Sequence, residues 1–189
     1  MLFTNLNPEH LDFHKDMEHY FQAKRLLFSR YARPGFEGAA NADDPYGRRL
    51  LEDFPENVRG FALASDAFAR VTEFRTGLEG TSMTVSMRGF PDLRLQSPLV
   101  GNFNVWNVLA AVTALRGRVE DEAMVRGAAE VPQVPGRLER HSLPNGACCF
   151  IDFAHTPEAL KNVLAAARAL CPGRLISVFG HGEIGRAHV

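Results

Sequence analysis

The chain has 189 residues, 46% of them hydrophobic, which is enough for one large or two small domains with an ordinary buried core. Its formal net charge is −1, so no basic surface indicates binding to nucleic acid or to an anionic membrane. Neither a bilayer-spanning apolar run nor a signal-peptide pattern occurs, which favours a cytoplasmic protein.

The first informative stretch is residues 4–28, TNLNPEHLDFHKDMEHYFQAKRLLF, in which a polar loop precedes an amphipathic helix. The apolar positions of the predicted helix are Met17, Tyr20, Phe21, Leu27 and Phe28. Lys24 fills the remaining position of this stripe. A lysine on a core face must lose its water, extend its ammonium back to solvent, or carry a chemical function.

The middle of the chain predicts a loop followed by an antiparallel patch. Residues 33–49 are rich in Gly, Pro, Asn and Asp and predict a loop, with a short helix at 48–53. Short strands are predicted at residues 60–64, 70–76, 81–87 and 92–96. Gly77 and Gly80 flank the turn between the second and third of them, so we expect a scaffold here and not a site.

Residues 101–108, GNFNVWNV, open the next predicted helix. Its core stripe is Val105, Val108, Leu109, Val112 and Leu115. Asn104 and Asn107 are three residues apart and therefore share a face of the first turn. Capping explains one asparagine, whereas two on one face also suit an adenine edge, which offers a donor and an acceptor. A charged helix is predicted over residues 117–130.

Residues 131–137, VPQVPGR, interrupt the helical pattern and mark the domain boundary. Beyond them, a hydrophobic strand at 147–153, a helix beginning at Pro157 and a strand at 174–179 predict a right-handed βαβ unit of a parallel sheet.

Ligands bind beyond the carboxyl ends of the strands in such sheets, and Asp152 and His155 follow the first strand. A capping aspartate or a loop histidine would also explain these two residues. Arg137, just past the boundary, would equally suit a solvated linker.

Three segments together resemble the Mur ligase family. They are TNLNPEHLDFH with EHYFQAK, GNFNVWNVLAA, and IDFAHTPEAL, in family order and at family-like spacing up to residue 182. Within the family the chain is most similar to ligases that add the third amino acid of the peptidoglycan stem peptide. The resemblance implies an α/β fold, with the later half of a mononucleotide-binding central domain over residues 1–134 and the first βαβ of a Rossmann-like C-terminal domain over 135–182.

The same resemblance implies the site residues. His10 and Lys24 would bind Mg²⁺, with Lys24 carbamylated by carbon dioxide so that its oxygens suit a hard cation. The residues implied to contact ATP are Asn104, Asn107, Arg137, Asp152 and His155.

The implied reaction is ATP-dependent amide formation. The carboxylate of UDP-MurNAc-L-Ala-D-Glu would become an acyl phosphate, and the amine of diaminopimelate or lysine would then displace phosphate. We expect ATP and Mg²⁺ as cofactors, no nucleic acid or membrane partner, and a cytoplasmic bacterial protein that is monomeric when full length. The sequence has no segment that distinguishes the two diamino acids.

No G-x-x-x-x-G-K-[ST] phosphate loop occurs in the sequence, and we expect an internal fragment without activity of its own. Residues 183–189, EIGRAHV, resemble a translated sequencing adapter, and we expect them to be an artefact. Two alternatives stay open. One is a folylpolyglutamate- or cyanophycin-type ligase of the same superfamily. The other is a metal-dependent hydrolase, in which His10 and His14 would share a divalent ion on a helix.

Overall fold

The computed structural model describes residues 1–8 and 11–180 and forms the expected α/β fold around a mixed six-stranded sheet. In chain order the elements are β1 (Leu2–Phe3), α1 (Met17–Ser29), β2 (Gly38–Asn41), α2 (Pro45–Asp53), β3 (Val58–Ala62), β4 (Ala69–Gly77), β5 (Gly80–Met87), β6 (Phe90–Ser97), α3 (Asn102–Leu115), α4 (Asp121–Glu130), β7 (Glu139–Ser142), β8 (Cys148–Ile151) and α5 (Pro157–Leu170). Strands β1 to β4 are parallel, and β5 and β6 extend the sheet antiparallel. None of the helices in the described residues is long and apolar enough to cross a membrane.

Strand β2 lies between two hydrophobic cores. Ala39 packs in the core formed with α3, and Ala40 packs in the core formed with α1 and α2; both are fully buried. Successive strand residues point to opposite faces, so helices cover both sides of the sheet here. The predicted loop over 33–49 is therefore wrong at this strand. GAAN has no alternating pattern, and its strand forms because tertiary packing overrides local propensity.

Helix α2 begins at Pro45, earlier than predicted, because Asp44 caps it. The Asp44 carboxylate accepts hydrogen bonds from the backbone N–H of Tyr46 and Gly47, each at 2.9 Å. Gly47 lies directly against the end of β2, where an added Cβ would come within 1.9 Å of the carbonyl oxygen of Asn41. Helix and strand are thus closer than any side chain at this position would allow.

The antiparallel part of the sheet follows the sequence prediction. Strands β4, β5 and β6 occupy the predicted segments, and β5 turns Met83, Val85 and Met87 into the core with α3. In α3 the predicted stripe is buried except at Leu115, which is 42% exposed on the last turn. Helix α4 begins only at Asp121, since Gly117 adopts a positive φ of 84° that the preceding helix cannot continue.

Helix α1 begins at Met17 as predicted, but its apolar stripe is narrower than expected. Phe21 and Phe28, seven residues apart, are buried, whereas Leu27 is 47% exposed. Leu27 lies seven residues after the buried Tyr20 and on the same side of the helix, but near the end of α1 this side is left uncovered.

The C-terminal segment forms a hairpin where a βαβ unit was predicted. Strand β8 lies within the predicted strand and α5 follows it, but β8 pairs antiparallel with β7. Residues 174–179 belong to no strand, and Val178 is 93% exposed, so the predicted second strand is wrong. An apolar run predicts a strand but cannot supply the partner edge that a strand needs, and the polar sequence of β7, ERHS, gave no signal. Residues 183–189 lie outside the described residues.

Asp43 connects the end of β2 to the loop after β3. Its carboxylate accepts hydrogen bonds from the backbone N–H of Leu63, Ala64 and Ser65 at 2.8, 3.0 and 2.7 Å. Burial raises the pKa of Asp43, but the Ser65 hydroxyl and these N–H groups outweigh it and hold the pKa below its usual value.

This depressed pKa predicts a pH dependence. A carboxylate with a lower pKa in the folded state stabilises the protein above its unfolded-state pKa of about 4, and that stability is lost as the pH falls through the folded-state pKa. We expect Asp43→Asn to be less stable than the parent at pH 7, with the difference shrinking below about pH 4. Urea unfolding across this range tests the expectation, and a constant difference at all pH values would contradict it.

Two helical glycines give a matched pair of variants. Gly47→Ala should lower the free energy of unfolding by at least about 2 kcal/mol, because the new methyl group would overlap backbone. Gly127→Ala in α4 meets nothing within 4 Å and should stabilise the protein by about 0.5–1 kcal/mol. Equal effects of the two substitutions in urea unfolding would refute the close contact.

Candidate active site

Lys24 lies beside a cavity of about 280 Å³ at the carboxyl end of the parallel strand β1. The cavity is lined by Leu2, Phe3, Thr4, Asn5, Leu6, Asn7, Tyr20 and Lys24. The Lys24 amine lies 5.2 Å from the centre of the Tyr20 ring, and the side chain is exposed. The predicted position of Lys24 on the buried face of α1 is therefore wrong, because the side chain is exposed. At this turn α1 faces the loop after β1, so the lysine reaches solvent without losing its water.

Asp44 holds that loop in place. Besides capping α2, its Oδ2 atom accepts a hydrogen bond of 3.4 Å from the backbone N–H of Leu6, whose side chain is buried. Asp44 falls within the loop predicted over residues 33–49, and its role as a cap was not predicted. An aspartate directly before Pro45 is the usual signal of a helix cap, and it could have been recognised.

The cavity offers ligands of the type that Mg²⁺ prefers. Thr4 supplies a hydroxyl, and Asn5 and Asn7 supply amide oxygens, beside the amine of Lys24. A carbamate on Lys24 would add two further oxygens, so this lining fits a hard cation. His10, the other predicted ligand, lies outside the described residues. In residues 1–8 and 11–180, no group of three His, Cys, Asp or Glu side chains could hold a metal ion.

The loop before α1 removes the basis of the hydrolase alternative. That alternative needed a helix carrying His10 and His14 on one face, but residues 11–16 are turns and bends and α1 begins at Met17. The His14 ring instead stacks on Tyr20, with the ring centres 4.6 Å apart.

Asn104 and Asn107 share a face, as predicted, and bond to each other. Asn107 donates its amide to Oδ1 of Asn104 at 3.0 Å, and Asn104 donates to the carbonyl oxygen of Val100 at 2.8 Å. Asn104 is 6% exposed, whereas Asn107 is open to solvent. Asn104 therefore closes the first turn and orients Asn107, which is the member of the pair that a ligand can reach.

Arg137 and His155 both lie next to the ring of Phe153. The Arg137 guanidinium is 5.9 Å from the centre of that ring, and the His155 ring is 5.3 Å from it. Nδ1 of His155 donates to the carbonyl oxygen of Phe153 at 3.0 Å, which leaves Nε2 as the acceptor. The two predicted side chains thus lie together on one exposed surface.

Asp152 points back into the chain. Its two oxygens accept hydrogen bonds from the backbone N–H of Leu138 at 2.7 Å and of Ala154 at 2.8 Å. Leu138 is buried and has a positive φ of 47°, a conformation rare for a leucine. Asp152 therefore fixes the backbone next to Arg137, a structural role that the sequence did not reveal.

The predicted site residues form three separate groups. Within the described ranges, no hydrogen bond, ion pair or ring contact joins Lys24 to the asparagine pair or to Arg137. Arg140 in β7 joins the two predicted domains, since it donates to the carbonyl oxygen of Leu78 and to Glu79. This residue was not among the predicted ones. Helices α3 and α5 also meet, around a pocket that Trp106 and Ala166 help to line.

Comparison with known proteins identifies two matching domains. The family described as Mur ligase middle domain matches residues 1–115, and Mur ligase, glutamate ligase domain matches residues 136–188. The UDP-N-acetylmuramoyl-L-alanyl-D-glutamate--2,6-diaminopimelate ligase of Synechocystis sp. is 42% identical over 189 residues, covering 96% of this chain and 36% of that protein. The chain thus spans little more than a third of this relative.

Solved structures agree on the fold. A structure of a UDP-N-acetylmuramoyl-L-alanyl-D-glutamate--2,6-diaminopimelate ligase superposes with a TM-score of 0.73 at 25% identity, covering 89% of this chain and 35% of the other. Folylpolyglutamate synthetase from Lactobacillus casei gives a TM-score of 0.69 at 16% identity, covering 91% and 42%. The similarity to folylpolyglutamate synthetase shows a shared fold and nothing more.

The asparagine pair predicts unequal effects on stability. Asn104→Ala should lower the free energy of unfolding by about 1–3 kcal/mol, because the partner groups at Val100 and Asn107 lose a buried amide. Asn107→Ala should cost less than about 1 kcal/mol, since water can replace an exposed partner. Urea unfolding of both variants measures the difference. Equal losses would show that Asn107 is also structural.

Proposed function

This chain belongs to the Mur ligase family, and from that premise we propose that it is part of an ATP-dependent ligase that joins a diamino acid to UDP-MurNAc-L-Ala-D-Glu. Identity of 42% over nearly the whole chain to a 2,6-diaminopimelate ligase supports this substrate class and favours diaminopimelate. The folylpolyglutamate alternative has only the shared fold in its favour. The monomeric state and the cytoplasmic location of the complete protein stay predictions.

The position of Lys24 carries the proposal. Its exposed amine meets a cavity lined by hydroxyl and amide oxygens, at the sheet edge where ligands of parallel sheets bind. Lys24, once carbamylated by carbon dioxide, would hold Mg²⁺ together with His10. Bound Mg²⁺ supplies positive charge that reduces the repulsion between a carboxylate nucleophile and the phosphates.

The ATP-binding roles divide between the two halves of the chain. Asn107 presents its amide to the adenine edge, in an orientation that Asn104 fixes. Arg137 offers its planar set of donors to ribose and phosphate oxygens, and His155 adds a ring nitrogen beside it. Asp152 takes part indirectly, by fixing Leu138 next to Arg137.

These residues align the reactants and stabilise charge, and the covalent chemistry belongs to the substrates. The substrate carboxylate attacks the γ-phosphate of ATP, which breaks the bond between the γ-phosphorus and the β–γ bridging oxygen, releases ADP and forms an acyl phosphate. The neutral amine of the diamino acid then attacks the acyl carbon, loses a proton to water and releases phosphate. Alignment of this kind and charge stabilisation are the main contributions of a protein to phosphoryl transfer.

Substitution of Lys24 in the complete protein tests the proposal. Lys24→Ala should lower ATP-dependent amide synthesis at least about a hundredfold, because the metal loses a ligand. Acetate or formate should restore part of the activity by placing a carboxylate in the vacated space. Lys24→Arg should also be inactive, since a guanidinium does not form a carbamate.

The matched control is Lys161→Ala, which removes an exposed lysine from α5 and should leave activity unchanged. Full activity of Lys24→Ala would rule out the carbamate. So would a loss of activity in Lys161→Ala as large as that in Lys24→Ala.

A further inference from the structure

Two histidines at the start of α1 direct ring nitrogens at each other. Nδ1 of His14, in the bend before the helix, lies 3.3 Å from Nδ1 of His19 in the first turn. The backbone N–H of Lys15 also points at Nδ1 of His19, at 3.4 Å. The His19 nitrogen therefore presents its lone pair to the space between the rings, and His14 supplies the shared proton.

Packing holds the His14 ring near this arrangement, and the first turn of α1 fixes the backbone of His19. His14 lies between Phe13, whose edge is 5.0 Å from it at 90°, and Tyr20, which stacks on it at 4.6 Å. The backbone N–H of His19 donates to the N-cap carboxylate of Asp16 at 2.7 Å, which fixes the first turn. Little side-chain freedom has to be lost for the two nitrogens to act together.

We propose that His14 and His19 chelate a divalent transition metal of the class of Zn²⁺. A tetrahedral ion with Zn–N bonds of about 2.0–2.1 Å places two nitrogen ligands about 3.3 Å apart. The two Nδ1 atoms already have this separation, so the ion replaces the shared proton with little movement. His14 is half-buried and His19 is exposed, so an ion can reach the pair from solvent.

This site differs in chemistry from the cavity beside Lys24. Imidazole nitrogens suit Zn²⁺, Ni²⁺ and Cu²⁺, whereas Mg²⁺ prefers the oxygens around Lys24. Tyr20 lies between the two places, stacked on His14 and 5.2 Å from the Lys24 amine. An ion on the histidine pair would fasten the bend to α1 and steady the ring next to Lys24.

Calorimetric titration of the full chain with zinc chloride tests the site. We expect one Zn²⁺ ion to bind in a step that His19→Gln weakens at least about tenfold, with excess Mg²⁺ having no effect. His14→Gln should weaken the same step. The matched control is His141→Gln, which removes an exposed histidine paired with Glu139. Zinc affinity should be unchanged in this variant.

A second measurement separates binding from folding. Zn²⁺ should raise the thermal midpoint of the parent chain and of His141→Gln but not of His19→Gln, because a ligand of the folded state alone stabilises it. Zinc affinity unchanged in His19→Gln and His14→Gln would overturn the proposal. So would displacement of Zn²⁺ by an equal concentration of Mg²⁺. Neither result depends on ligase activity, so the two proposals fail separately.

Discussion

The close contact between Gly47 and the Asn41 carbonyl sets the geometry of the parallel half of the molecule. No side chain fits between α2 and the end of β2, so helix and strand lie in backbone contact. This contact fixes the N-terminus of α2, where Asp44 both caps the helix and binds the loop at Leu6. That loop lines the cavity beside Lys24. The shape of the cavity therefore depends on Gly47, which lies in α2 and not in the cavity itself.

The sequence predicted the elements whose pattern is local. Helices α1 and α3 and the antiparallel strands repeat apolar residues with the period of their own structure, and all of them formed. Strand β2 was not predicted from the sequence. Ala39 and Ala40 are small residues, and they are buried on the two faces of the sheet by helices distant in sequence. Strand β7 is polar and exists because β8 pairs with it. Both depend on partners that a periodicity search does not include.

In the candidate site too, local sequence pattern was predictive and contacts made by folding were not. Motif resemblance located Lys24, Asn107 and Arg137, which are exposed, but it could not tell them from neighbours with internal partners. Asn104 and Asp152 belong to the same motifs, yet their hydrogen bonds end on Val100 and Leu138. Whether an amide or carboxylate faces inward depends on which backbone groups the fold places next to it. The spacing of residues in a motif does not contain that information.

In the proposed site, these inward-facing residues would keep the exposed side chains ready for a ligand. A long side chain such as Arg137 loses conformational freedom when it binds, and less is lost where the backbone beneath it is already fixed. Asp152 supplies that rigidity for Arg137, and Asn104 supplies it for Asn107. Asp44 does the same for the loop opposite Lys24. Under the proposed roles, each buried or half-buried polar group would act on the ligand through one exposed neighbour. Arg140 adds a contact of another kind, because it joins β7 to the β4–β5 turn, while α5 comes up against α3 around Trp106, so the Arg137 surface is tied to the rest of the chain at two places.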